Sequence, residues 1–473
     1  MAFCCLAVPS RQIVLTIFSM SKINLTFLSG VGEVTGSNFL LESDSARILI
    51  DCGLIQGSAF CEQENRVAFP YNPSLIDFLL VTHAHLDHIG RIPKLVKDGF
   101  KGTIYSTYQT RELAEVMFND ALSIPESETR KEGTLPLYER QDIEKALSLW
   151  KEVSYHEEIS LKENLSFYLK DAGHILGSAI IEIRRNGKKI IFTGDLGNSP
   201  APLLKDTEEI TDADYLIIES VYGNKNHEPK DERDAHFAKV LNNTIARNGT
   251  VVIPAFSLER TQNILYTLNN LVEEKKIPSV PVFVDSPLAI KVTEIYKHRS
   301  ADFKESVRRE ISEGDDIFNF PKLSFTVSTE ESNTIHKANN PKIILAGSGM
   351  SAGGRVTKHE KEFLPDKKST ILLVGYQSVG TLGRALEEGT KHVYINGEQV
   401  SVKAQIVNIR GFSSHKDSDG LISFVEKTAS KVKKVFVVMG EPKASLFLVQ
   451  RLRDYVGVEA IYPKLRKPYL LEF

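Results

Sequence analysis

The sequence predicts an α/β fold in two parts: a strand-rich domain, interrupted by an inserted parallel-sheet α/β domain and completed by the C-terminal segment. Three observations predict it. At 473 residues the chain is too long for one ordinary core, so two compact units, or three, are expected. Up to Tyr222 the apolar residues come in short strand-like runs around a helical middle. After Tyr222 they become continuous runs, GTVVIPAF, VPVFVDS, KIILAG and STILLVG, some of them parted by helix-like stretches, as in a parallel sheet.

Taken in order, Ile23 to about Ile50 reads as paired strands, INLTFLSG, NFLLE and ARILID, around a Gly/Ser/Thr turn region. DFLLVT, Asp77 to Thr82, is a short apolar strand that runs into a histidine-rich loop and then a helix-like stretch from about Ile89 to Val96. Gln109 to about Val153 is mostly helical, with ELAEVMF and IEKALSLW each spaced for one apolar face. Four strands follow, LSFYLKDAG, SAIIEIRR, KKIIFTGD and DYLIIES, with RNGK as a hairpin turn. From about Gln405 short strands return in AQIVNIRGF and KVFVVMGE, with a helix from about Ser418 between them. There is no internal repeat and no low-complexity tract. The predicted division is an extension over 1–19, a first domain over 20–222, the inserted domain over 223–403 and the completing segment over 404–473.

Hydrophobic residues make up 42% and charged residues 25%, as in an ordinary soluble protein. A net charge of -3 excludes a global basic field, so any polyanion must meet a local basic surface. Cys4, Cys5, Cys52 and Cys61 form no metal-type pair and read as reduced thiols of a cytoplasmic protein. The apolar opening stretch is broken by Arg11 and too short to span a bilayer. It reads as a dispensable extension or an upstream start ahead of Met20, more than as a signal peptide, and no membrane partner is expected.

The sharpest feature is THAHLDHIG, which carries His83, His85, Asp87 and His88. Zinc prefers imidazole nitrogen and carboxylate oxygen, and two histidines one residue apart point the same way from an extended segment. A turn then brings Asp87 and His88 to a second position nearby, so one loop can serve two metals. Four ligand-type residues in six positions at the end of an apolar strand are not explained by packing. His174 in DAGHILGSA and Asp195 in IIFTGDLGN are weak alone, since loop histidines and strand-end aspartates are common. In this order they suit a third imidazole and a bridging carboxylate.

HAHLDH, GHILGSA and GDL resemble motifs two to four of the metallo-β-lactamase superfamily, and ILIDCG, with Asp51, resembles motif one. The resemblance implies an αββα sandwich and two Zn²⁺ sites. One takes His83, His85 and His174 and the other Asp87 and His88; Asp195 bridges them, and Asp51 orients ligands from behind. IIESVYGNKNH, VVIPAFSLERTQ, FVDSPLA, AGSGMSAGG, VGYQSVGTLGR and GFSSHKD resemble, in order, segments of the β-CASP nucleases, the group of the cleavage and polyadenylation endonuclease. The likeness runs from about Ser21 to about Glu441.

That resemblance implies further site residues. Ser257, Arg260 and Gln262 lie around a helix start, where backbone N–H groups and the dipole favour phosphate; alone they would read as an ordinary cap with a surface arginine. Ser348, Gly349 and Met350, with Gly380 and Thr381, lie in amide-rich turns that could hold backbone phosphates or equally be plain tight turns. Glu219 and His415 match motifs A and B, and with Asp87 form the expected catalytic set. A histidine bonded to a buried carboxylate can give a proton to a leaving oxygen. Ser413 and Ser414 beside His415 join the expected phosphate contacts. One position departs from the family: VVHGE is common there, whereas this chain reads VVMGE, and the thioether of Met439 is a poor zinc ligand, so a weaker second metal is expected. The role of His227 does not follow from the sequence; His156, His236, His298, His336, His359 and His392 read as surface or structural.

The resemblance therefore implies a zinc-dependent hydrolase of phosphodiester bonds in single-stranded RNA, endonucleolytic, with 5′-exonuclease action compatible. A non-catalytic RNA-binding scaffold, a DNA-directed nuclease of the same family, and a small-molecule hydrolase are the competing readings. A homodimer is compatible with the chain, though no motif asks for one.

Overall fold

A computed structural model describes residues 22–56, 59–132, 136–162 and 164–473. The opening stretch over 1–19, with Cys4, Cys5 and Met20, lies outside the described residues. Cys52 is a buried free thiol.

Two seven-stranded sheets face one another. The first runs in the order Pro468–Glu472, Lys22–Ser29, Asn38–Glu42, Arg47–Ile50, Phe78–Leu80, Thr103–Ser106 and Trp150–Glu152. The second runs Ala460–Ile461, Lys434–Val437, Tyr215–Ile218, Lys188–Phe192, Ala179–Arg185, Ser166–Asp171 and Glu158–Ser160. Side chains alternate across each strand: Ile181, Ile183, Ile190 and Phe192 enter the core between the sheets with Leu25, Phe27 and Ile48, while Ile180 and Ile191 face outward. The outward faces are covered by helices, Ile92–Lys97, Tyr108–Glu132 and Arg140–Ser148 on the first sheet, and Ser418–Glu426 and Pro442–Arg451 on the second. This is the αββα sandwich. The C-terminal segment completes both sheets, with Lys434–Val437 parallel to Tyr215–Ile218 and Pro468–Glu472 antiparallel to Lys22–Ser29.

The expected RNGK hairpin joins Ala179–Arg185 to Lys188–Phe192, with Asn186 and Gly187 at φ 50° and 77°, the left-handed pair that matches strand twist. The stretch expected as one helix from Ile89 to Val96 is two, Leu86–Ile89 and Ile92–Lys97, with Pro93 in the first turn of the second.

The inserted unit is a six-stranded, wholly parallel sheet, ordered Leu323–Phe325, Val282–Asp285, Lys342–Ala346, Thr250–Pro254, Thr370–Leu373 and Gln405–Asn408. Both faces are buried, which is why its strands read as unbroken apolar runs: Val251 and Ile253 enter one core and Val252 the other. The predicted division at residue 404 needs correction. Gln405–Asn408 pairs with Thr370–Leu373, so the chain leaves this sheet only after Asn408. That strand is short and only half-buried at the sheet edge, so its sequence resembles the half-buried strands of the sandwich.

The two units share a continuous core and polar ties: Gln109 Nε2 donates to Asp302 at 2.9 Å, Lys304 Nζ to the Ala201 carbonyl at 2.6 Å, and Leu176 N to the Tyr296 hydroxyl at 3.2 Å. Between them a cleft opens over the strand ends of the second sheet.

Candidate metal centre and cleft

The loop after Phe78–Leu80 is pinned from behind by the segment that follows Arg47–Ile50. Cys52 N donates to the His88 carbonyl and Leu54 N to the Leu86 carbonyl, both at 2.8 Å. Gly53 lies so close that an added Cβ would stand 1.5 Å from the Asp87 carbonyl oxygen. Asp51, at φ 57°, turns its carboxylate under the loop. It accepts from Ser37 Oγ at 3.0 Å, Thr82 N at 2.8 Å, Thr82 Oγ1 at 2.9 Å and His88 Nδ1 at 2.7 Å.

These bonds set which ring nitrogens face the centre. His88 gives its Nδ1 proton to Asp51 and is left with Nε2. His174 gives its Nδ1 proton to the Ser414 carbonyl at 3.1 Å and is also left with Nε2. His83 Nδ1 lies 3.0 Å from Thr82 Oγ1, whose own proton goes to Asp51, so its Nε2 faces inward too. His83 Nε2 stands 3.0 Å and His174 Nε2 3.2 Å from His85 Nδ1, and Asp195 Oδ2 lies 3.4 Å and 3.5 Å from the first two. All four donor atoms lie within 4.8 Å of one another. A tetrahedral zinc with bonds of about 2.0–2.1 Å holds its ligands roughly 3.3 Å apart, so this donor set fits a metal cation.

A second position adjoins the first. His88 Nε2 and Asp195 Oδ1 are buried, lack any hydrogen-bond partner and face each other at 3.4 Å. Asp87 Oδ2 lies 3.9 Å from the same His88 nitrogen. Two orphaned buried polar atoms side by side are costly unless something bridges them, and a cation does so. Met439 adds no donor here. Its side chain packs in the core between the sheets, with its sulfur against Gly30, where a Cβ would come within 2.7 Å of it.

Glu219 follows Tyr215–Ile218, and its carboxylate accepts from Leu196 N at 2.7 Å and His415 Nδ1 at 3.1 Å. Burial pushes Glu219 above its ordinary value against the pull of His415; burial also lowers His415, but Glu219 and Asp195 outweigh it and leave the imidazole raised. Asp195 is buried, yet His88, His415 and His83 hold it well below the usual carboxylate range. His85 is driven well below its ordinary value, first by burial and then by His83, so it is a neutral donor.

Of the residues expected at phosphate, Arg260, Ser413, Ser414 and Met350 line the cleft. Arg260 is buried at the start of helix Arg260–Glu273, donates to the Val374 carbonyl and, at 3.3 Å, to Ser414 Oγ, and makes no carboxylate ion pair among the described residues. Burial lowers its pKa to about 10, so it remains a cation.

The other expected contacts fall outside the lining of the cleft. Gln262 is fully buried and donates to the Ser257 carbonyl and to Thr293. Ser257 Oγ pairs with Ser286 Oγ at 3.2 Å, and Ser348 Oγ accepts from Ala352 N at 3.2 Å. Gly349 is covered by the Phe256 ring, Gly380 is an exposed turn at φ 87°, and Thr381 caps helix Leu382–Glu387. They shape the loops that carry Met350, Tyr376 and Ser378 to the cleft and do not themselves line it.

His227, whose role the sequence left open, donates from Nε2 to the His415 carbonyl at 3.0 Å and so holds the backbone of His415. Phe256, Leu258, Met117 and Tyr376 also line the cleft and were not singled out from sequence. Apart from Phe256 and Leu258, which share one loop, they lie on separate elements, and no linear pattern joins them.

Three family models match the chain: the Metallo-beta-lactamase superfamily domain over residues 40–214, the Beta-Casp domain over 261–386, and the Zn-dependent metallo-hydrolase RNA specificity domain over 399–463. Ribonuclease TTHA0252 of Thermus thermophilus is 35% identical over 88% of this chain and 93% of its own length. An RNase J-like protein of Methanocaldococcus jannaschii is 32% identical over 93% and 97% respectively. Transcription termination factor FttA of Methanosarcina mazei is 32% identical over 92% of this chain and 70% of its own. A crystal structure of a protein of unknown function from Enterococcus faecalis superposes with a TM-score of 0.54 at 14% identity, covering 95% of this chain and all of that one, and shares the fold. With this order of domains and relatives matched over nearly their full length, the chain belongs to the metallo-β-lactamase superfamily, in the group that carries an inserted Beta-Casp domain.

Proposed function

We propose that the protein is a zinc-dependent ribonuclease that hydrolyses phosphodiester bonds of single-stranded RNA. The observation that carries this reading is the juxtaposition of two things in one cleft. The first is a buried cluster of His83, His85, His174 and Asp195; the second is the His415–Glu219 pair, 4.0 Å from Asp195. Three imidazoles with one carboxylate are a zinc-type donor set. Asp87 and His88 serve a second zinc, weaker because Met439 contributes nothing to it. When bound, the metal lowers the pKa of water and polarises a phosphoryl oxygen. Arg260, unpaired by any carboxylate among the described residues, holds the phosphate, and Ser414 orients the guanidinium. His415, raised by Glu219, donates its proton to the departing oxygen.

RNA is favoured over other esters by three relatives. Two bear ribonuclease names, and the third is a termination factor. The chain also matches a domain described as conferring RNA specificity. Internal cutting, with 5′-exonuclease action compatible, is the expected mode. The cleft between the two units is expected to admit one strand, while a duplex would be too wide. A cytoplasmic location and a homodimer remain part of the same proposal; among the described residues no helix is long and apolar enough to cross a membrane.

The test is to incubate zinc-loaded protein with end-labelled single-stranded RNA and DNA and size the products. Internal RNA fragments are expected, lost by at least a thousandfold in Asp87→Ala and His85→Ala. RNA left whole by the zinc-loaded protein, or cut at full rate by those variants, contradicts the proposal.

A further inference from the structure

The metal cluster, Arg260 and His415 form the charged side of the cleft, a few neutral polar side chains lie among them, and an apolar wall of Val34, Leu86, Met117, Phe256, Leu258 and Met350 faces the same space. A phosphate alone needs no such wall. These residues come from both units. Val34 sits in a loop of the sandwich, Leu86 at the start of helix Leu86–Ile89, Met117 on helix Tyr108–Glu132, and Phe256 and Met350 in loops at the ends of inserted-sheet strands. Phe256 is pre-positioned. Its carbonyl accepts from Thr261 N at 3.2 Å and Thr261 Oγ1 at 2.8 Å, which fixes its backbone. Gly349 packs against the residue, where an added Cβ would come within 2.6 Å of a ring carbon, and Phe256 is half-buried and lines the cleft. The polar lining holds one side-chain amide, Gln56, and its carboxylates are those of the metal cluster. That amide is exposed, whereas the apolar side chains of the wall present no hydrogen-bonding group to a base edge.

We propose that this wall is a seat for an unpaired nucleobase next to the cut phosphate, with Phe256 as the stacking platform and Met350, Met117 and Leu86 closing around it. The inference rests on the RNA reading above and deepens it: the enzyme recognises a base by its face and accepts any base. Stacking on an aromatic side chain is sequence-tolerant because every base has a π face. A base held in a duplex stack cannot enter the seat, so the wall itself selects single strands.

The test uses uniform RNA strands that each carry one abasic ribonucleotide in the middle. The zinc-loaded protein should cut the strands at every bond except one at a fixed offset from the abasic position, where cutting falls on the order of tenfold. Phe256→Ala should raise KM and flatten that dip to less than twofold, and Phe256→Trp should restore it. Uniform A, C and U strands should be cut at rates within a few-fold of one another. Cutting that ignores the abasic position, or a dip that persists unchanged in Phe256→Ala, overturns the inference. Binding of the same strands, followed by fluorescence anisotropy, separates this result from failure of the hydrolase itself. If no strand is cut, weaker binding of the abasic strand, matched by Phe256→Ala, still supports the seat, and equal binding sinks it.

Discussion

His415 stands at the boundary between binding and chemistry. Its Nδ1 is tied to Glu219, its backbone carbonyl to His227, and its ring packs against His174 at 4.6 Å between centroids. Replacing it with alanine should lower kcat about 10²–10⁴-fold, the usual weight of a positioned acid, with the zinc content unchanged. Glu219 raises the His415 pKa, so the donor form is present at low pH and is lost as pH rises through that raised value. Glu219→Gln should therefore move the alkaline limb of the kcat profile to lower pH; an unmoved limb would remove the pair from the proton transfer. At this scale much was legible in the sequence. His83, His85, Asp87 and His88 lie within six positions, and their spacing reports their geometry. The phosphate contacts were less so: Gln262 and Thr381 resemble ligands in sequence because turn and cap residues use the same side chains to hold their own backbone.

Loops and helix starts carry the centre, and close backbone approach fixes them. Gly53 and Gly187 make a useful contrast. Gly187, at φ 77° in the RNGK turn with nothing within 4 Å, should tolerate alanine at about 1 kcal/mol of backbone strain. Gly53→Ala drives a methyl into the Asp87 carbonyl and should cost about 3 kcal/mol with loss of bound metal, as read by urea unfolding and metal analysis. Glu259 is the second element-scale case. It precedes helix Arg260–Glu273 with φ 64°, and its carboxylate accepts from the Tyr296 hydroxyl at 2.5 Å. That hydroxyl in turn accepts from Leu176 N in the His174 loop. Burial pushes Glu259 up to about 7 from 4.5, so the folded protein holds its proton where the unfolded chain releases it. Stability from this group is full below about pH 4.5 and falls as pH rises to about 7. Glu259→Gln should remove that slope, and denaturant midpoints at pH 5 and pH 8 check it. Neither tie could be read from sequence, since Gly53 and Asp87, or Glu259 and Leu176, meet only through the fold.

Across the whole molecule, the sandwich supplies the metal donors and the inserted sheet supplies Arg260, Phe256 and Met350, so the cleft exists only where the units meet. The change of texture after Tyr222 made the insertion legible, because a sheet buried on both faces has to be written in unbroken apolar runs. The return to the sandwich was misread by one strand, as Gln405–Asn408 is an edge strand with half-buried positions. The apolar wall was not legible at all, since its members come from widely separated stretches of the chain.

The buried donors converge from three separated stretches, around His83, His174 and Asp195, so a cation joining them would be a cross-link in the folded state. Metal analysis of the purified protein, paired with thermal unfolding before and after chelation, tests this most directly. Between one and two zinc ions per chain are expected, one released much more readily than the other. A fall in Tm of several degrees on full removal is expected too, with loss of the tight ion in His83→Ala. Less than one zinc per chain, or a tight ion that survives in His83→Ala, would contradict this assignment.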